Sequence, residues 1–251
     1  MNGRMLTRIS EIIHALEPLK EGEAFFGFWS SIENEAIKKK VFYDIECHLN
    51  EIEEEQWKQL LPKVVEKFRK REGARGWQQA INALQEGIAY SLLKKDGYSE
   101  IKFLPRRQSQ RTPDLTARRG SVQVAIEVKN INKSETQIEA EQNMTSQTMG
   151  LPLDERFFTK LLSTLDNASR QLAAQHSDEK LIFLFIEFDD ISNEYVLSYL
   201  SQIRSWLDFH DMVADHYYIH CQPAHYFSSY LSVPPHLIVW PTKKDGVVET
   251  T

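Results

Sequence analysis

Three residues of this chain have the types and the spacing needed for hydrolysis at a metal ion. Asp114 opens one predicted strand, at about 113–118, and Glu127 and Lys129 lie two residues apart in the next, at about 121–130. Two carboxylates can hold a divalent cation, which in turn can activate a water molecule for attack on a substrate. A lysine beside them could orient that water and offset the negative charge that grows during the reaction.

The two strands are predicted to bring these residues to one face of a sheet. Alternate side chains of a strand share a face, so Glu127 and Lys129 point one way. The other face carries four apolar side chains that are expected to enter a core: Val122, Val124, Ile126 and Val128. With Arg119-Gly120 as a two-residue turn, Asp114 pairs with Ala125 and lies diagonal to Glu127, about 7–8 Å away. A three-residue loop would reverse the face of Asp114, whereas a four-residue loop would keep it.

Magnesium is the cation that this set of residues fits, with manganese as a substitute. Mg²⁺ prefers oxygen ligands and is commonly held by one or two carboxylates together with substrate phosphate. Asp114, Glu127 and the backbone carbonyl of Val128 are the predicted ligands, and phosphodiester hydrolysis is the predicted chemistry. An alternative stays open, because Glu-x-Lys triplets are common and Glu127 and Lys129 would also suit an ordinary solvated strand.

The order of these residues resembles that of the PD-(D/E)XK nuclease superfamily, which has the restriction-endonuclease-like fold. The resemblance covers about residues 77–190 and rests on the following segments in chain order: a helix with Glu86-Gly87, then Gly97-Tyr98, a strand at Ile101 to Leu104, Pro113-Asp114, Glu127-Val128-Lys129, and Asp166 to Leu172 on a later helix.

The resemblance implies a DNA-cleaving enzyme with an αβββαβ core. Asp114, Glu127 and Lys129 would then be catalytic, and Glu86 would assist them. Arg170 or Gln171 would contact phosphate or water. Many relatives act as dimers, so a homodimer is a further expectation, although no dimer face can be named. The helical wheel leaves a second possibility for Glu86, which is an exposed glutamate opposite the apolar stripe of its helix.

Apolar periodicity predicts a mixed α/β fold with a helical extension at residues 1–73 and a nuclease-like domain at 74–251. Gly73 and Gly76 mark the boundary. The extension carries three helical patterns. From residue 77 the order is α-β-β-β-α-β, followed by a helix at about 192–209 and short strands near 217–221 and 237–240, which implies a mixed central sheet flanked by helices. The polar residues 131–153 read as a long loop.

The net charge of −6 hides a basic segment around the candidate site. Residues 94–129 carry nine Lys and Arg against four acids, whereas residues 130–251 carry eight against seventeen. A locally positive groove could hold a phosphate backbone despite the overall sign. Five arginines are predicted to line the approach of nucleic acid: Arg106, Arg107, Arg111, Arg118 and Arg119. The alternative is a charge-mixed, solvated surface.

Other features set the expected compartment and the rival functions. The apolar runs are too short for a membrane span, and two cysteines suggest a cytoplasmic protein without disulfides. A zinc site among the C-terminal histidines is a weaker alternative, because His216 and His220 would lie about 13 Å apart on a strand. The leading hypothesis is a metal-dependent nuclease acting on DNA. The rivals are a non-catalytic module that binds nucleic acid or protein, and a helical interaction protein whose motif is accidental.

Overall fold

A computed structural model describes residues 6–16, 36–69, 78–105, 112–132, 153–188, 193–210, 214–223 and 236–240. These residues form two compact units, a helical unit that ends at Gly97 and a sheet unit that begins at Tyr98. The boundary predicted near residue 73 and most of the predicted loop at 131–153 lie outside the described residues.

The described part of the helical unit contains four helices, α1 (Thr7–Leu16), α2 (Ala36–Leu49), α3 (Glu54–Phe68) and α4 (Gln78–Lys95). The apolar residues whose periodicity predicted the first three helices are the ones that the structure buries. In α3, for example, Trp57, Leu60 and Val64 recur at helical spacing and are all buried. The acidic residues Glu54 and Glu55 fill the first turn of α3, where the positive end of the helix dipole favours them.

Helix α4 departs from its predicted pattern. The sequence indicates a helix with one apolar stripe, yet nearly every side chain from Ala80 to Leu93 is buried, including the polar Gln85, Glu86 and Ser91. Close packing occurs at Gly87, where an added Cβ would lie 2.8 Å from Leu49 Cδ2 and 3.0 Å from Leu60 Cδ2. Gly87 therefore allows α4 to approach α2 and α3 closely.

The sheet unit contains one mixed sheet of six strands, β1 (Ser99–Phe103), β2 (Leu115–Arg119), β3 (Val122–Ile131), β4 (Glu179–Phe188), β5 (His216–Pro223) and β6 (His236–Trp240). The strands lie in chain order across the sheet. The central pairs β3–β4 and β4–β5 are parallel, and the outer pairs are antiparallel. The mixed α/β class and the element order from α4 to β4 are as predicted.

Two further helices, α5 (Glu155–Ala173) and α6 (Asn193–Asp208), connect the parallel strands and cover one face of the sheet. The core on that face joins residues of β3, β4 and β5, such as Ala125, Ile182 and Ile219, to Leu165 of α5 and Ile203 of α6. Asp154 begins α5, because its carboxylate accepts a hydrogen bond from the Phe157 N–H. Helix α5 thus reaches the face of β3 on which Glu127 and Lys129 lie.

Candidate active site

The β2–β3 hairpin sets the position of Asp114 relative to Glu127. The observed pairs include Arg119 with Val122 and Thr116 with Ala125, so the turn residues are Gly120 and Ser121 rather than the predicted Arg119 and Gly120. Gly120 has a φ of 63°, a value that glycine adopts easily at the first position of such a turn. The register therefore moves by two residues. Continued beyond the last pair, Leu115 with Ile126, it places Asp114 on the face of Glu127 and level with it instead of diagonal to it.

Asp114 is tied to the strand that carries the Glu-x-Lys triplet. Its Oδ2 accepts a hydrogen bond of 3.0 Å from the backbone N–H of Val128, and the residue is 6% exposed. The N–H and C=O of one strand residue point toward the same neighbouring strand, so the Val128 carbonyl also faces the side of Asp114. Pro113 has no N–H, so it cannot bond to that carbonyl as a ladder partner.

Glu127 and Lys129 contact each other and a residue of α5. Lys129 Nζ lies 2.5 Å from Glu127 Oε1 and also donates to Gln171 Oε1 at 2.5 Å. Glu127 is 1% exposed, whereas the Lys129 side chain is 23% exposed. The site therefore combines a deeply buried carboxylate with a lysine side chain that is partly exposed to solvent.

The donor set around Asp114 and Glu127 suits a hard divalent cation. Two carboxylates and the carbonyl of Val128 supply oxygen only, which is the chemistry that Mg²⁺ and Mn²⁺ prefer. Burial of a carboxylate also costs much desolvation free energy, which a bound cation offsets. Among the described residues, no three His, Cys, Asp or Glu side chains gather as a metal-binding group. A cation here would rely on these two carboxylates, the carbonyl and water or substrate.

Glu86, the fourth predicted catalytic residue, lies in the helical unit. The residue is buried, which differs from the exposed position that the helical wheel also allowed. Its carboxylate accepts from Lys63 Nζ of α3 at 2.5 and 2.6 Å. Lys63 is a partner that the sequence did not point to, because it lies 23 residues away and the pairing depends on how α3 packs against α4. This ion pair gives Glu86 a charged partner within its own unit, and its catalytic role stays a prediction.

The predicted nucleic-acid contacts fall on different surfaces. Arg118 is half-exposed and pairs with Gln123, so it shares the face of Glu127 and lies 3.7 Å from Glu100. Arg119 points to the opposite face, where its guanidinium lies 5.2 Å from the centre of the Tyr98 ring. On α5, Arg170 is exposed and Gln171 contacts Lys129. Arg106, Arg107 and Arg111 lie outside the described residues.

Two other aspartates of the sheet unit make the same kind of contact as Asp114. Asp178 Oδ2 accepts from the Gln123 N–H at 2.8 Å, and Asp215 Oδ2 accepts from the Lys180 N–H at 2.7 Å. Each aspartate lies just before a strand and bonds the backbone near the start of the adjacent strand. An aspartate directly before a predicted strand could therefore have indicated such a contact from the sequence. Asp114 differs from both because it is buried and lies level with the Glu-x-Lys triplet.

His216 and His220 have separate neighbours in the sheet. His216 Nε2 lies 3.2 Å from Glu179 Oε2, whereas His220 is buried with its ring 4.9 Å from that of Phe185.

The described helices include none that is long and apolar enough to cross a membrane.

Comparison with known proteins gave no relative for this chain. No protein-family model, no curated protein and no solved structure matches it. The resemblance to the PD-(D/E)XK superfamily therefore rests on the order and chemistry of the residues described above.

Proposed function

We propose that this chain is a divalent-metal-dependent nuclease that hydrolyses phosphodiester bonds of DNA. The observation that supports the proposal most is the grouping of Asp114, Glu127 and Lys129 on one sheet face, with both carboxylates buried and held by hydrogen bonds. Three such residues from two strands match the composition of a site for hydrolysis at a metal ion.

The roles follow from the positions of the groups. Asp114, Glu127 and the Val128 carbonyl would hold Mg²⁺ or Mn²⁺, which when bound supplies charge stabilisation for the phosphodiester and acidifies a water molecule. Lys129 would orient that water and compensate negative charge on phosphate. Gln171 would hold the Lys129 side chain in place, and Arg118 on the same face would contact the phosphate backbone. We place the activity in the cytoplasm, on the grounds of two free thiols.

A second function is favoured by a specific observation. Asp178 and Asp215 make backbone contacts like that of Asp114, and Lys129 already neutralises Glu127, so the same residues could serve stability alone. The chain would then be a non-catalytic module that binds nucleic acid or a protein partner and keeps this arrangement of strands.

Cleavage of a panel of linear, circular, single-stranded and branched DNA with Mg²⁺ or Mn²⁺ separates the two functions. For the nuclease, cleavage requires the metal and falls at least about 100-fold in Lys129→Ala and in Asp114→Ala, because each removes a group that acts in the transition state. Arg156→Ala serves as a control, because it removes an exposed arginine of α5 to which no role is assigned.

Activity that survives in both Lys129→Ala and Asp114→Ala would exclude this site as the catalytic centre. Binding of DNA without cleavage of any substrate would favour the non-catalytic module. An RNA panel run beside the DNA panel would show which nucleic acid is the substrate.

A further inference from the structure

Glu127 has a cation as its neighbour within the protein itself. The residue is 1% exposed, and a carboxylate removed from water in this way requires a positive partner or strong hydrogen bonds. The Lys129 ammonium, 2.5 Å from Oε1, is such a partner. A divalent cation bound to that oxygen would have to take the place of the ammonium, so the two cations would compete for it.

The Lys129 ammonium has a second hydrogen-bond acceptor. Gln171 Oε1, on α5, accepts from the same nitrogen at 2.5 Å, and this acceptor is neutral. A lysine side chain has several rotatable bonds and strong hydration, so its head group can change partners at little cost when one side faces solvent. The exposed fraction of the Lys129 side chain, 23%, provides that access.

We propose that Lys129 is the resident counter-ion of Glu127, that a divalent cation displaces it, and that Gln171 is the positioning residue that keeps the displaced ammonium beside the site. The inference rests on the proposed function, since it concerns the metal site of the nuclease. No covalent bond changes in the exchange. Lys129 leaves Glu127 because two cations on one carboxylate repel each other, and its remaining hydrogen bond to Gln171 holds it within reach of substrate.

The exchange predicts opposite effects for two substitutions at one contact. Lys129→Met removes the competitor, so the affinity for a divalent cation rises about tenfold, as expected when a like charge at contact distance is removed. Gln171→Leu removes the second partner of the ammonium, so displacement becomes harder and the affinity falls about three- to tenfold. A site in which the lysine is only a structural support predicts weaker binding for both.

Isothermal titration of the full chain with Mn²⁺ and with Mg²⁺ measures these affinities without any substrate. Lys180→Met is the matched control for the loss of a positive charge. Lys180 pairs with Ala125, two residues before Glu127 on the same face, and no contact joins it to Glu127 among those described. Its substitution is expected to change the affinity less than twofold. Thermal unfolding in EDTA and in Mn²⁺ checks that each variant folds.

The outcomes separate this inference from the proposed function. Tighter binding by Lys129→Met, or binding by that variant alone, supports the exchange. Unchanged or weaker binding by Lys129→Met, with the wild-type chain binding normally, overturns the exchange and leaves the nuclease standing. Absence of binding in every variant overturns both the exchange and the metal site. If Lys129→Met does not fold, Lys129→Gln decides, since the exchange predicts tighter binding for it and a structural support predicts weaker binding.

Discussion

Asp114, Asp178 and Asp215, all among the described residues of the sheet unit, accept hydrogen bonds from a neighbouring strand. Asp114, Asp178 and Asp215 each bond a backbone N–H at 2.7 to 3.0 Å. A carboxylate is a stronger acceptor than a neutral group, so each contact stabilises the end of a strand pair. Because the contact is shared, stability alone cannot reveal whether Asp114 also serves catalysis.

Asparagine substitutions at these three positions separate stability from catalysis. Asparagine keeps an acceptor oxygen but loses the charge, so each variant is expected to lower the free energy of unfolding by about 1 kcal/mol. Only Asp114→Asn should also lose cleavage, by at least about 100-fold, because it alone would hold a cation. Urea unfolding and the cleavage rate are measured on the same preparations. Equal loss of cleavage in all three variants would mean that activity follows stability.

The sequence indicated which residues of the candidate site share a sheet face, but it did not indicate how they contact their neighbours. Asp114, Glu127 and Lys129 could be placed on one face because the parity of a strand follows from alternation alone. The turn was displaced by one residue, since Gly120 can occupy either central position of a hairpin turn and the letters do not say which. Gln171 was predicted as a contact for phosphate or water. Its bond to Lys129 depends on the way α5 packs on β3.

At the scale of helices and strands, periodicity predicted the order and most bounds of the elements. The exception is α4, where two of the three buried polar residues have partners that are distant in sequence. Ser91 meets His48, 43 residues earlier, and Glu86 meets Lys63. A helical pattern shows which residues are apolar. Whether a polar residue is buried depends instead on whether another helix supplies a partner for it. The sequence therefore indicated an amphipathic helix where the structure has a buried one.

The contact between α2 and α4 is expected to make the helical unit sensitive to acid. His48 Nδ1 lies 3.0 Å from Ser91 Oγ, and burial, with a smaller contribution from Lys95, lowers the pKa of His48 from 6.5 to about 4. In the unfolded chain His48 takes up its proton near pH 6.5, whereas the folded chain resists until about pH 4. The free energy of unfolding is thus fully present above pH 6.5, decreases as the pH falls, and levels off near pH 4.

The size of this loss is on the order of 2–3 kcal/mol for His48 alone. Urea unfolding at pH 7.5, 6, 5 and 4 is the measurement. His48→Asn, which keeps a polar atom toward Ser91 without the titration, should flatten the dependence between pH 6.5 and 4. The exposed His176, replaced by asparagine, is the control and should leave the dependence unchanged. A wild-type chain as stable at pH 5 as at pH 7.5 would contradict the prediction.

At the scale of the whole molecule, the distribution of charge matters more than its sum. A chain of net charge −6 repels DNA at long range, so the DNA binding that we propose would require a face on which basic groups outnumber acids. The hairpin offers a direct test, because Arg118 and Arg119 are adjacent in sequence but point to opposite faces of the sheet. Arg118 shares the face of Glu127, and Arg119 stacks on Tyr98.

DNA binding by these two arginines is best measured in the Lys129→Ala background, so that cleavage does not interfere. Fluorescence anisotropy of a labelled duplex between 50 and 200 mM salt gives the slope of log affinity against log salt concentration. Arg118→Ala should reduce the magnitude of this slope by about one, as expected for one lost phosphate contact, and Arg119→Ala should leave it unchanged. Glu100→Gln should tighten binding, because it frees Arg118 from its ion pair. If Arg118→Ala and Arg119→Ala change the salt slope equally, the prediction that DNA binds along the face of Glu127 is contradicted. The path by which DNA reaches the site would then have to include the opposite face of the sheet.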